Sequence, residues 1–157
     1  STFNGPIRSE NGFKNIVKSS TTGAVTSTMT LETYTATITV ANGATTGKES
    51  AVGIPANFIP MGVTVAVTTA STNSVNLNDI GTDADTDGYV DGISAALNTT
   101  GFKGFFGCNG VLGMSGFTTG ASGLVGDEVE LVVSGDPGSD TVIVLKFFGI
   151  SSSSDAS

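Results

Sequence analysis

The chain has 157 residues, a formal net charge of −8, no His, no Trp and a single Cys. Without His there is no Ser-His-Asp or Cys-His catalysis and no His-bearing zinc site, and one Cys allows neither an intrachain disulfide nor a four-Cys zinc site. The balance of 14 acids against six Lys and Arg argues against a nucleic-acid partner, because phosphate backbones need clustered cations.

Charged residues make up 13% of the chain, beside 22 Gly, 18 Ser and 23 Thr. That mixture fits short strands joined by glycine-rich turns better than a helical bundle. The length suits one domain with one core. The longest apolar run, Thr141 to Ile150, is far short of the ~20 residues of a spanning helix, so no membrane partner is expected. Ser1 to Ser20 contain no apolar segment of the signal-peptide kind.

Residues 1–30 read as an extended N-terminal arm. Gly5-Pro6 and Asn11-Gly12 are turn signals, and Phe3, Ile7, Phe13 and Ile16 are spaced as apolar anchors. Arg8, Lys14 and Lys18 stand against Glu10 alone in residues 1–20, a net of +2, which leaves −10 on the rest. A basic arm on an acidic body can search for an acidic surface by long-range attraction. Phe3, Ile7, Arg8, Phe13, Lys14 and Lys18 are therefore the candidate arm contacts.

Residues 31–150 read as the body. In Leu31 to Ala41, Tyr34, Ala36, Ile38 and Val40 alternate with Thr33, Thr35, Thr37 and Thr39, the period of a half-buried strand. Asn42-Gly43 marks a turn. Ser50 to Ile54 is a short strand, with Pro55 and Pro60 bracketing a rigid connection. Val63, Val65 and Val67 alternate again, and Val75 with Leu77 open a strand ending near Ile80. Gly81 to Gly92 reads as an acidic loop, and Ile93 to Leu97 as a strand or one helical turn. Phe102 to Cys108 and Val111 to Phe117 are apolar segments broken by glycines. Val129, Leu131 and Val133 form another alternating strand. Gly135-Asp136-Pro137-Gly138 is a turn, and Thr141 to Phe148 reads as a central strand covered on both faces. Residues 151–157 form a Ser-rich tail. Together these predict an all-β, antiparallel β-sandwich, jelly-roll-like, with an extended N-terminal arm.

Three constellations invite a chemical reading. Asp83, Asp85, Asp87 and Asp91 surround Gly88 in a D-x-D-x-D-G run that begins like a calcium loop, in which alternate carboxylates converge on a hard cation. Ser94 stands where an EF-hand needs a bidentate Glu, and no helix pattern precedes the run. These four acids are the candidate calcium ligands, the alternative being an exposed acidic turn; no other cofactor is expected. Phe102, Phe105, Phe106, Met114 and Phe117, set among glycines, are a candidate contact surface or else core. Cys108 has no base beside it in sequence to activate it. Asp127 and Glu128, adjacent on a strand, would point to opposite faces, the wrong geometry for a shared glycosidase cleft. The chain is not expected to be an enzyme.

Two stretches carry a resemblance. The opening Ser1-Thr2-Phe3-Asn4-Gly5-Pro6-Ile7-Arg8-Ser9, with Asn11-Gly12-Phe13, resembles the N-terminal arm of small virion proteins of tailed bacteriophages of marine and cyanobacterial hosts. The middle, from Ile54-Pro55-Ala56 through the Val63–Val67 strand to Asp85-Thr86-Asp87-Gly88-Tyr89-Val90-Asp91-Gly92, is similar to the same group. The group resembled is the capsid decoration, or cement, proteins. The resemblance implies a sandwich on the outer capsid surface that stabilises the capsid by bridging major capsid subunits, as a homotrimer with arms over neighbouring capsomers. It supplies no catalytic residues. The alternatives are a tail-tube, fibre-base or baseplate component and, from another class, a calcium-dependent adhesion or carbohydrate-binding module.

Overall fold

A computed structural model describes residues 14–49, 58–83, 85–108 and 128–153. The expected strand at Ser50 to Ile54, the candidate contacts Phe3, Ile7, Arg8, Phe13, Met114 and Phe117, and Asp127 lie outside these. Among the described residues, ten strands run in chain order: β1 (Lys14–Lys18), β2 (Val25–Val40), β3 (Thr46–Lys48), β4 (Phe58–Thr69), β5 (Asn76–Thr82), β6 (Asp85–Val90), β7 (Ala95–Ala96), β8 (Gly101–Gly107), β9 (Glu130–Val133) and β10 (Thr141–Ser153). None of the described residues is helical.

Every ladder is antiparallel. One sheet has the order β1-β2-β10-β4-β8, the other β3-β9-β5-β6, with β7 beside β5. Setting aside β1 and β7, the first strand of the body pairs with the last, β2 with β10. The second pairs with the seventh, β3 with β9; the third with the sixth, β4 with β8; and the fourth with the fifth, β5 with β6. This is one long hairpin rolled into two sheets, the jelly-roll topology.

The two sheets share one core. Ala36, Ile38 and Val40 of β2, Val63, Val65 and Val67 of β4, and Ile143, Leu145 and Phe147 of β10 meet Leu77, Ile80, Tyr89, Leu131 and Val133 of the other sheet. Alternation puts these residues on one face because successive side chains leave a strand on opposite sides. Phe147 packs edge-on to Tyr89 across the sandwich, ring centroids 5.4 Å apart. At one end, the Asp136 carboxylate accepts hydrogen bonds from the amides of Gly43 (2.8 Å) and Gly138 (2.7 Å), and Asp140 accepts one from Asn42 (2.9 Å). These amides hold the Asp136 carboxyl below its ordinary pKa, and the contacts tie the β2–β3 turn to the β9–β10 turn.

The strand limits differ from the sequence expectations in physically informative ways. β2 begins at Val25 rather than Leu31, because β1 and the end of β10 supply ladder partners for Val25 to Thr30. Lys14 to Thr30, expected to be extended arm, is thus a β-hairpin added to the sheet, and Ser151 to Ser153 of the expected tail extend β10. Pro60 lies inside β4 rather than before it, at a register shift opposite Gly149; a residue without an N–H is tolerated where the ladder is already interrupted. The acidic segment is a hairpin of β5 and β6 rather than a loop. Gly81 makes it possible, since a Cβ there would strike the backbone of Asp85 and Thr86. β10 is central, as expected, but only one of its faces is buried: Lys146 and Phe148 are exposed between buried Leu145, Phe147 and Gly149.

Candidate interaction surface

The outer face of the five-stranded sheet is built from the residues that alternate with the core. Strand pairing arranges them in rows across β2, β10, β4 and β8. The rows read Leu31–Ile150–Ile59, Thr33–Phe148–Gly62, Thr35–Lys146–Thr64–Phe105 and Thr37–Val144–Ala66–Phe102. Phe102 is 68% exposed, Phe105 58% and Phe148 39%. Gly62 is what lets the aromatics lie flat, because a Cβ there would run into the Phe105 ring. Met61 emerges half-exposed beside it.

Of the described candidate contacts, Phe102 and Phe105 stand on this face. Phe106 does not: it turns inwards and packs against the core. Phe148, Leu31 and Lys146 were missed in the sequence reading. Their signal was there, since a lysine within Val142-Ile143-Val144-Leu145-Lys146-Phe147-Phe148 marks one side of that strand as wet.

The hairpin end of the sheet continues past the core. β2 is 16 residues long, about 53 Å at ~3.3 Å per residue, and its ladder with β1 runs past the row of Phe58, a core residue level with Thr30. Ile16 and Val17 are exposed on this projecting part, and Leu31 is exposed on the outer face, one residue short of the row that holds the core residue Phe58. Lys18 is exposed in β1, and Lys14 lies at the other end of that strand.

Carboxylates gather on the opposite sheet and at its ends. Lys48 and Asp83 form an ion pair. The Lys48 hydrogen bond, with a second from Glu130, holds Asp83 below its ordinary pKa, and Asp83 holds Lys48 above its own. Glu130 is buried in β9, and burial, then its hydrogen bond to Asp83, pushes its pKa up. Asp85 is raised by sharing a hydrogen bond with Asp87. Asp79 accepts a hydrogen bond from the Gly92 amide at 2.9 Å. Asp83 pairs with Lys48, Asp85 and Asp87 share a hydrogen bond, and Asp91 follows the end of β6. Among the described residues no group of three or more His, Cys, Asp or Glu side chains is placed to hold a metal ion.

Three groups, half-buried Tyr34 and buried Glu49 and Cys108, complete the chemistry. Tyr34 donates to the Glu49 carboxylate at 2.8 Å. Burial pushes Glu49 up against the opposing pull of that hydrogen bond, and Tyr34 is pushed up to about 12 by burial and by Glu49. Cys108 is buried, which pushes its thiol up to about 12, so it holds no thiolate at neutral pH to act as a nucleophile.

No protein-family model matches the chain, and no curated protein sequence matches it. Among solved structures, one chain of a cyanophage Pam1 capsid asymmetric unit is similar. The likeness spans 95% of this chain and 93% of that chain, with a TM-score of 0.49 and 16% sequence identity.

Proposed function

We propose that the chain is a non-enzymatic structural protein of a tailed-phage virion, seated on the outer capsid surface, where it stabilises the shell by bridging major capsid subunits. Three copies around a three-fold axis is the assembly this reading expects. Its support is the resemblance of the Ser1–Phe13 arm to phage decoration proteins, joined to a jelly-roll body. The observation that carries the bridging is the projecting end of the five-stranded sheet. It sets Ile16 and Val17, exposed, past the row of the core residue Phe58, where a neighbouring subunit can cover them. Ordering an arm on a partner costs conformational entropy, so several anchors must act together, and buried area spread over more than one interface resists internal pressure.

The test is deletion of residues 1–20, scored by binding to purified phage heads lacking this protein. The described side chains of β1, Ile16, Val17 and Lys18, are exposed, so the truncated body is expected to stay folded, as read by urea unfolding, while head binding is lost. Binding retained by the truncated chain contradicts the mechanism.

A further inference from the structure

We infer that the outer face of the five-stranded sheet, running from Val17 to Phe102, is the surface that seats on the capsid subunit, and that it is built for an apolar partner surface presenting a carboxylate to Lys146. This inference rests on the capsid reading above and names the docking face. The face differs from the rest of the molecule in charge. Its rows hold the single cation Lys146 and no acid; Glu32, also in β2, leaves on the other side by alternation. Asp79, Asp83, Asp85, Asp87 and Glu130 belong to the opposite sheet or its hairpin turn. A chain of net charge −8 repels an acidic partner in most orientations, so an acid-free face favours one orientation on approach.

The extent of the face agrees with docking. Four rows about 7 Å apart on strands about 4.8 Å apart give a face on the order of 400 Å², apolar residues and threonines together. A standard interface needs about 800 Å² from each partner, so this patch needs the projecting end as well. Val17, exposed and paired with Ser27 of β2, extends the sheet past Leu31. A second copy is a poor occupant. Face to face, it brings Lys146 towards its own counterpart; face to back, it sets phenylalanines against exposed Asp85 and Asp87.

The experiment uses the full chain and purified heads lacking it. Lys146→Glu and Phe105→Asp alter exposed side chains and should leave urea unfolding within about 1.5 kcal/mol of the wild type, with the variants still folded. Each should weaken head binding at least 30-fold, as hot-spot changes do, while Asp87→Lys on the opposite sheet stays within threefold. Wild-type affinity in both face variants, with binding lost in Asp87→Lys, overturns the docking face and leaves the capsid reading standing. Failure of the wild type itself to bind heads overturns the capsid reading, and this inference with it. A wild-type dimer in sedimentation that Phe105→Asp dissolves without changing head binding makes a second copy the occupant and overturns the inference as well.

Discussion

Phe147 and its neighbour Phe148 offer a sharp test of the fold, because one strand sends them to opposite environments. Phe147 is fully buried, edge-on to Tyr89 of the facing sheet and 6.4 Å from the ring of Tyr34. Truncating a buried Phe to Ala costs about 3–5 kcal/mol, since the lost transfer energy is joined by a cavity that the two sheets cannot fully close. Part of that loss is the aromatic contact itself, worth about 0.5–1.5 kcal/mol. Against a total stability of about 5–15 kcal/mol, Phe147→Ala should remove a large share. Phe148 is 39% exposed and faces outwards; its truncation leaves an open hollow rather than a sealed cavity and should cost about 1 kcal/mol. With a urea m-value near 2 kcal/mol/M, the expected midpoint shifts are about 2 M for Phe147→Ala and about 0.5 M for Phe148→Ala. Equal shifts, or a larger one for Phe148, would refute the assigned register and the shared core.

Other outcomes follow from single groups. Glu49 has a folded-state pKa raised by burial, so its contribution to stability is fully present below its unfolded value, near 4.5, and is lost as pH rises through the folded value. Glu49→Gln, which can still accept from Tyr34, should flatten this decline in thermal scans between neutral pH and 4.5; an unchanged profile would remove Glu49 as its source. Thr82 is buried with its hydroxyl unpartnered among the described residues. Thr82→Val should therefore stabilise by about 1 kcal/mol in urea unfolding, and a loss of that size would show that the hydroxyl has a partner. Cys108 should react with a thiol reagent at least 100-fold more slowly in the folded protein than in urea; fast native labelling would contradict its burial.

Much of the body was legible in the sequence. The alternation in Tyr34 to Val40, Val63 to Val67 and Val129 to Val133 marked strands whose apolar sides now meet in the core. Period-two patterning reports burial, and burial is what those segments have in common. Where a strand lacks a core beneath it, the pattern fades. Val25 to Thr30 is held by its ladder with β1, joined by β10 from Thr28 onward, and nothing in its Thr- and Ser-rich composition separates it from an arm. The acidic stretch misled for a related reason: Asp and Gly favour turns locally, but pairing with β5 and the absence of a Cβ at Gly81 draw Asp85 to Val90 into a strand. The contact face was half legible. Phe102 and Phe105 stood out among glycines, whereas Phe148 was hidden in a run that read as buried on both sides.

The sharpest test of the central claim is electron microscopy of virions that carry this protein. The account predicts jelly-roll density on the outer capsid surface, with the Phe102–Phe105–Phe148 face towards the shell and the β1–β2 hairpin reaching an adjacent subunit. Density confined to the tail, or a capsid whose outer surface lacks the protein, would contradict it.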